Sequence, residues 1–143
     1  MHVTEILKSK GTDGVVTVLP DTCVADAARI LADKRIGTVV VSRDGRTADG
    51  ILSERDIVRE LADRGGDCLS ESVATFMTRD PVTCTRSDSA EKVLTKMTEG
   101  RFRHMPVVEN GKMVGLVTLG DVVKARLSQL AMEKDALEGM ISN

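Results

Sequence analysis

A segment of this chain occurs twice. Residues 16–41, VTVLPDTCVADAARILADKRIGTVVV, align at an offset of 66 with residues 82–107, VTCTRSDSAEKVLTKMTEGRFRHMPV. A chain that repeats itself folds as two like units, each leaving a face for the other to cover. Within the repeat, Val24, Ala27, Ala28 and Leu31 stand opposite Ala90, Val93, Leu94 and Met97. Both sets fall at i, i+3, i+4 and i+7, the apolar face of one helix. Pro20 and Asp21 punctuate the start of the first helix, and Asp88 with Glu91 predicts a capping box at the second.

Strands are expected after these helices, at 38–41 and 104–108. Asp44-Gly45 and Asn110-Gly111 then predict tight hairpins, because both residues of each pair tolerate positive φ. The returning strands end in Gly50-Ile51-Leu52-Ser53 and Gly115-Leu116-Val117-Thr118, where the offset is 65, so the first hairpin carries one extra residue. A second helix follows each strand, from Glu54 to about Ala62 and from about Leu119 into the Met132 region. The lead-in repeats as well, residues 73–77 echoing residues 3–7. Arg64-Gly65-Gly66-Asp67 reads as the joining loop, and fraying is expected only from Gly139. The expected fold is α/β of the α+β kind. It has βαββα repeats at 1–66 and 67–143, the second with a long C-terminal helix, and helices on one face of each small sheet. One copy of about 60 residues is marginal alone, and two that share sheet faces are not.

Composition narrows the function classes. Phe76 and Phe102 are the only aromatic rings in 143 residues, so base stacking on aromatic platforms is nearly excluded. Net charge is −2 and no basic face is evident, which argues against a nucleic-acid partner. No apolar run approaches the roughly 20 residues of a membrane span, and the opening MHVTEILKSKG is too polar for a signal peptide. Cys23, Cys68 and Cys84 are odd in number, widely spaced and form no C-x-x-C. Reduced, packed thiols in a cytoplasmic setting are expected from them, with no disulfide frame or metal site.

The sharpest repeated motif is Gly-hydrophobic-hydrophobic-Ser/Thr-x-x-Asp, at Gly50–Asp56 and Gly115–Asp121. A hydroxyl followed three residues later by an acid is a helix cap, and that alone explains one copy. Two copies at matching positions allow more. The hydroxyl and the backbone N–H groups of a helix start can meet a phosphate or sugar oxygen. The carboxylate offers acceptors to the vicinal hydroxyls of a ribose. Glycine ahead of the strand lets another backbone or a ligand approach closely.

These motifs, with the Val16-Thr17-Val18 and Val82-Thr83-Cys84 openings and Arg101-Phe102-Arg103-His104-Met105-Pro106-Val107-Val108, resemble a tandem cystathionine-β-synthase (CBS) domain pair, or Bateman module, over about residues 1–128. The resemblance implies repeats packed about a pseudo-two-fold axis, with clefts that take AMP, ADP, ATP, NAD(H) or S-adenosylmethionine. It implies that the signature Asp holds ribose, that the hydroxyl lies near ribose or phosphate, and that the opening strand and the strand after the first helix sandwich the adenine. Carried onto this chain, one candidate site uses Thr17, Val18, Gly37, Thr38, Val39, Ser53 and Asp56, with Arg55 as a compensating cation. The other uses Thr83, Cys84, Arg103, His104, Met105, Thr118 and Asp121. Arg103 and His104 stand where the first copy has Gly37 and Thr38, so the second site is expected to favour a phosphate. His104 reads equally as a hydrogen-bonded strand residue.

The resulting expectation is a stand-alone regulatory module, without catalytic cofactor, that binds an adenine nucleotide, AMP first among the candidates and ATP or NAD behind it. It would act as a homodimer on an unidentified regulated protein. Val122, Val123, Leu127, Leu130 and Ala131 continue the apolar set of the last helix further than one copy's core requires. No Ser/His/Asp set, Cys/His pair, P-loop or metal cluster supports an enzyme. A ligand-free interaction module whose signatures only cap helices is the alternative. His2 reads as a mobile terminal residue, Met97, Met105 and Met113 as core. Lys124, Arg126, Glu133, Lys134 and Asp135 read as a solvated helix face.

Overall fold

The apolar stripes read from the repeat form helices α2 (Val24–Lys34) and α4 (Ala90–Gly100), and the residues that carry them, Val24, Ala27 and Leu31 in one and Ala90, Val93 and Met97 in the other, are buried. Both helices end alike, on arginines 66 positions apart, Arg35 and Arg101, held in the left-handed conformation at φ 54° and 57°. The computed structural model describes residues 1–11 and 14–142. Its remaining elements are α1 (Val3–Ser9), β1 (Thr17–Val18), β2 (Thr38–Val41), β3 (Gly50–Ser53), α3 (Glu54–Arg64), β4 (Thr78–Arg79), β5 (His104–Glu109), β6 (Lys112–Thr118) and α5 (Leu119–Ser142). Short 3-10 turns run over Gly65–Ser70 and Val73–Thr75.

The sequence repeats and the packing units of the structure divide the chain differently. One unit comprises Gly14–Val82 with Asn110–Met113, and the other Met1–Asp13, Thr83–Glu109 and Val114–Asn143. The lead-in of each repeat therefore packs with the body of the other. In the first unit, β1 pairs parallel with β2 (Thr17 opposite Val40), β2 antiparallel with β3 (Thr38 opposite Ser53), and β3 antiparallel with β4 (Gly50 opposite Arg79). Strand β2 reads Thr-Val-Val-Val and is buried at every position, as a strand covered on both faces should be. Its core is Val18, Val24, Leu31, Val39, Val41, Leu52, Ile57 and Val73. In the second unit, β5 and β6 form a hairpin sheet over a core that includes Val3, Ile6, Val93, Met97, Met105, Val107 and Val117.

Several sequence expectations change. Asn110 and Gly111 both have positive φ, 53° and 77°, the type I′ signature. Asp44-Gly45 is not a two-residue turn, for β2 ends at Val41 and β3 begins at Gly50. The Asp44 carboxylate instead accepts from the backbone N–H groups of Arg46 and Thr47 at 2.8 and 2.9 Å, and these bonds hold its pKa down to about 2. The expected Asp88–Glu91 box is displaced by one residue. Ser89 caps α4 by accepting from the Lys92 N–H at 3.0 Å, while Asp88 folds back to accept from Thr85 N–H at 2.9 Å. Of the second opening strand only Cys84 pairs, in an isolated parallel bridge with Val107. The linker expected at residues 64–67 is drawn into the Gly65–Ser70 turn, and α5 runs through Gly139 to Ser142. His2 is held by a bridge to Ser89, flanked by Val3 N–H donating to Asp88 O and Ala90 N–H to Met1 O, both at 2.9 Å.

Candidate functional site

Both Ser/Thr-x-x-Asp signatures sit where a strand turns directly into a helix, and they close the same pair of hydrogen bonds. Ser53 Oγ accepts from Asp56 N–H at 3.2 Å while Asp56 Oδ2 accepts from Ser53 N–H at 2.9 Å. Thr118 Oγ1 accepts from Asp121 N–H at 3.1 Å while Asp121 Oδ2 accepts from Thr118 N–H at 2.9 Å. The equivalence extends one strand further. Gly37 O accepts from Glu54 N–H at 2.9 Å, and Arg103 O from Leu119 N–H at 2.8 Å. The residue that starts each helix is thus tied to the residue that precedes strand β2 or β5. In each unit the signature, Gly37 or Arg103, and the beginning of the neighbouring strand lie together.

The rest of each expected set is distributed unevenly. In the first unit Thr38 is buried beside Ser53 and donates its hydroxyl to Leu52 O at 3.0 Å. Val18 and Val39 are core side chains and Thr17 is half-buried, so Val18 and Val39 can present only main chain to a ligand. Arg55 is exposed and lines an open depression along α3 with Glu54, Val58 and Arg59. In the second unit Met105 and Cys84 are likewise core, and burial pushes the Cys84 thiol up to about 12. It stays a neutral packing group, as expected for the cysteines. Cys84 N–H donates to Pro106 O and Cys84 O accepts from Val108 N–H, at 3.0 and 2.8 Å, which fixes the course of the opening segment beside β5. Thr83 and Arg103 are exposed and His104 half-buried.

One residue at the second signature escaped the sequence reading. Lys10 Nζ lies 2.8 Å from Asp121 Oδ2 and donates to Leu116 O at 2.7 Å. Among the described residues Asp56, by contrast, has as its ion-pair partner only Arg59, 3.8 Å away and largely exposed. Lys10 belongs to the lead-in of the first repeat, far from Asp121 in sequence, and no spacing rule points to the pairing. Burial pushes the Asp121 carboxyl up, but the Lys10 ammonium and the Thr118 N–H outweigh it and hold the group below its ordinary 3.8. A depressed folded pKa stabilises the fold above the ordinary carboxylate range and ceases to do so as pH falls through the folded value. Lys10→Met is accordingly expected to move the Asp121 carboxyl titration upward and to flatten the acid-side loss of stability; carboxyl NMR titration of the two proteins checks it.

Among the described residues no group of three or more His, Cys, Asp or Glu could hold a metal ion, and no helix is long and apolar enough to cross a membrane. The arrangement offers a hydroxyl, a carboxylate, backbone N–H groups at a helix start and, in the second unit, the Lys10 ammonium. These are the elements of a sugar–phosphate contact and contain no nucleophile–base pair.

Comparison with known proteins identifies the family. The CBS domain family matches residues 3–63 and 73–128. The mitochondrial CBS domain-containing protein CBSX3 of Arabidopsis thaliana is 31% identical over 97% of this chain and 71% of its own length. A crystal structure of a CBS-domain containing protein from Agrobacterium tumefaciens is 43% identical, covers 88% of this chain and 99% of its own, and superposes with a TM-score of 0.83. A CBS domain protein from Pyrobaculum aerophilum, complexed with AMP, is 26% identical over 92% of this chain and 99% of its own, with a TM-score of 0.77. With two family matches over the repeats and the same fold in solved relatives, this chain belongs to the CBS domain family.

Proposed function

We propose that this protein is a regulatory module that binds an adenosine-containing ligand, AMP foremost, through the Ser53/Asp56 and Thr118/Asp121 signatures. The observation that carries the reading is the duplication of one geometry. Twice, a short hydroxyl and a carboxylate stand at a strand-to-helix junction beside the start of a neighbouring strand. The AMP complex of the Pyrobaculum aerophilum relative supports the ligand class. Thr17, Val18, Gly37 and Val39, and Thr83, Cys84 and Met105, supply main chain along the base, a mode suited to a chain almost without aromatic rings. Arg55 in one site, and Arg103 with His104 in the other, serve the phosphate. The module acts as a homodimer on a separate regulated protein in the cytoplasm.

A second reading has an observation of its own. Each signature already satisfies its hydrogen bonds as a cap, so a ligand-free interaction module would look the same. Calorimetric titration with AMP, adenosine and GMP separates the two. Saturable heat with AMP and little with GMP is expected, and no heat with either adenine compound leaves the capping reading. Arg103→Ala is expected to weaken AMP far more than adenosine, since its contact is to phosphate. Equal losses for both ligands would remove Arg103 from the site.

A further inference from the structure

Helix α5 continues well past the end of the family match at residue 128. From Ala131 to Ile141 every residue is exposed. A free helical stretch of that length is marginal in water unless something covers its apolar side. Most of its exposed apolar residues share one stripe, with Met132 and Met140 outside it. Val123, Leu127, Leu130, Leu137 and Ile141 fall at spacings of four, three, seven and four, with Lys134 completing the heptad between Leu130 and Leu137. Leu127, Leu137 and Ile141 are 63, 60 and 84% exposed. Such a stripe is a coiled-coil seam, about 27 Å long at the helical rise. The hydrophobic core of the domain lies elsewhere, for the buried residues of α5 are Val122 and Ala125.

We infer that this seam pairs, antiparallel, with the same helix of a second copy of the chain, which gives the proposed homodimer its interface. The seam reads the same in both directions about Met132. Antiparallel pairing sets Val123 against the partner's Ile141, Leu127 against the partner's Leu137 and Leu130 against the partner's Lys134. On one flank lie Lys124, Ala131 and Glu138. The same register brings Lys124 to the partner's Glu138 twice and closes the small Ala131 on the partner's Ala131 at the crossing point. The other flank carries one like-charge contact, Glu133 against the partner's Glu133, with Lys134 next to it. Parallel pairing is worse on each count. It would place Lys134 against the partner's Lys134 inside the seam and Glu133 against the partner's Glu138 on both flanks. Opposite charges on the flanks set orientation, and a lysine within the seam sets register.

This rests on the homodimer reading, and the experiment keeps the two apart. Sedimentation of the full chain across the micromolar range is expected to give a dimer, and Leu130→Glu with Leu137→Glu a folded monomer. Lys124→Glu alone and Glu138→Lys alone are each expected to weaken the dimer, and the two together to restore it. A dimer that survives the leucine changes overturns the seam while leaving the homodimer intact; a monomeric parent overturns both. Orientation is read separately in a Cys23→Ser background, with the buried Cys68 and Cys84 left in place. A short bismaleimide is expected to join Ala131→Cys chains readily and Leu137→Cys chains poorly. Joining of the Leu137→Cys chains as readily as the Ala131→Cys chains, or more readily, would rule out the antiparallel pairing and overturn the assignment.

Discussion

Asp121→Ala is expected to remove the tighter of two AMP-binding phases, and Asp56→Ala the weaker. Each change deletes acceptors for the ribose hydroxyls, and a hydrogen bond to a charged group is worth about 1.5–3 kcal/mol, or roughly 10–150-fold in affinity. The ranking comes from charge. Lys10 stands at the second signature and Arg103 with His104 are its proposed phosphate contacts, whereas the first has Gly37 and Thr38 at the aligned positions and Arg55 on the outer face of α3. A phosphate therefore favours the second site. For adenosine, which has no phosphate, the ranking should narrow or reverse, because its ribose must share Asp121 with the Lys10 ammonium. Calorimetry with both ligands on the two variants measures this. Loss of the weaker AMP phase on the Asp121 change, with the tighter kept, would invert the assignment. Unchanged affinity in both variants alongside a lowered melting temperature would mean that the signatures are caps and nothing more.

The repeat made most of the fold legible, because helical and strand periodicities are local and appear twice. The strand expected at 38–41 is β2, and the returning strand expected to end in Gly50-Ile51-Leu52-Ser53 is β3, which consists of those four residues alone. Errors gathered where one side chain chooses among several backbone partners. Asp44 and Asp88 both carry short acceptors that bend the chain onto their own neighbours, and such loops and turns compete with the tight hairpin and the helix cap. The length of α5 was also underestimated. Its stripe beyond Leu127 faces outward, so no buried pattern marks where the helix should stop.

The candidate site was legible in its repeated part and illegible in its long-range part. The hydroxyl–carboxylate reciprocity follows from three-residue spacing. Lys10 against Asp121 does not, and neither does the interior placement of Val39 and Met105. Both stand in strands whose sequences, Thr-Val-Val-Val and His-Met-Pro-Val-Val-Glu, carry no strict alternation to tell an inward side chain from one facing a ligand.

The glycines that open the signatures give the last prediction. Glycine ahead of a strand predicts that a backbone or ligand comes close, and the structure names what comes close. A Cβ built on Gly50 would meet the Met77 sulfur, lie 2.9 Å from Met77 Cγ and 3.1 Å from Thr78 O. On Gly115 it would lie 2.7 Å from Leu7 Cδ2 and 3.1 Å from Leu7 Cδ1. Met77 and Leu7 are equivalent residues of the two lead-ins, so each glycine receives the lead-in of the opposite repeat. The contact has the same origin in both copies but not the same stiffness. At Gly115 the obstacle is the far end of one leucine, which can rotate away. At Gly50 it includes a backbone oxygen fixed by the pairing of β4, Ile51 standing opposite Thr78. Gly50→Ala is therefore expected to cost about 1–3 kcal/mol, the usual penalty for overpacking, and Gly115→Ala clearly less. Leu7→Ala should relieve the Gly115 variant almost fully, while Met77→Ala should relieve the Gly50 variant only in part, since the Thr78 carbonyl remains. Urea unfolding of the single and paired variants measures both couplings, and equal losses at the two glycines, equally relieved, would show that the β4 backbone gives way as easily as a leucine methyl.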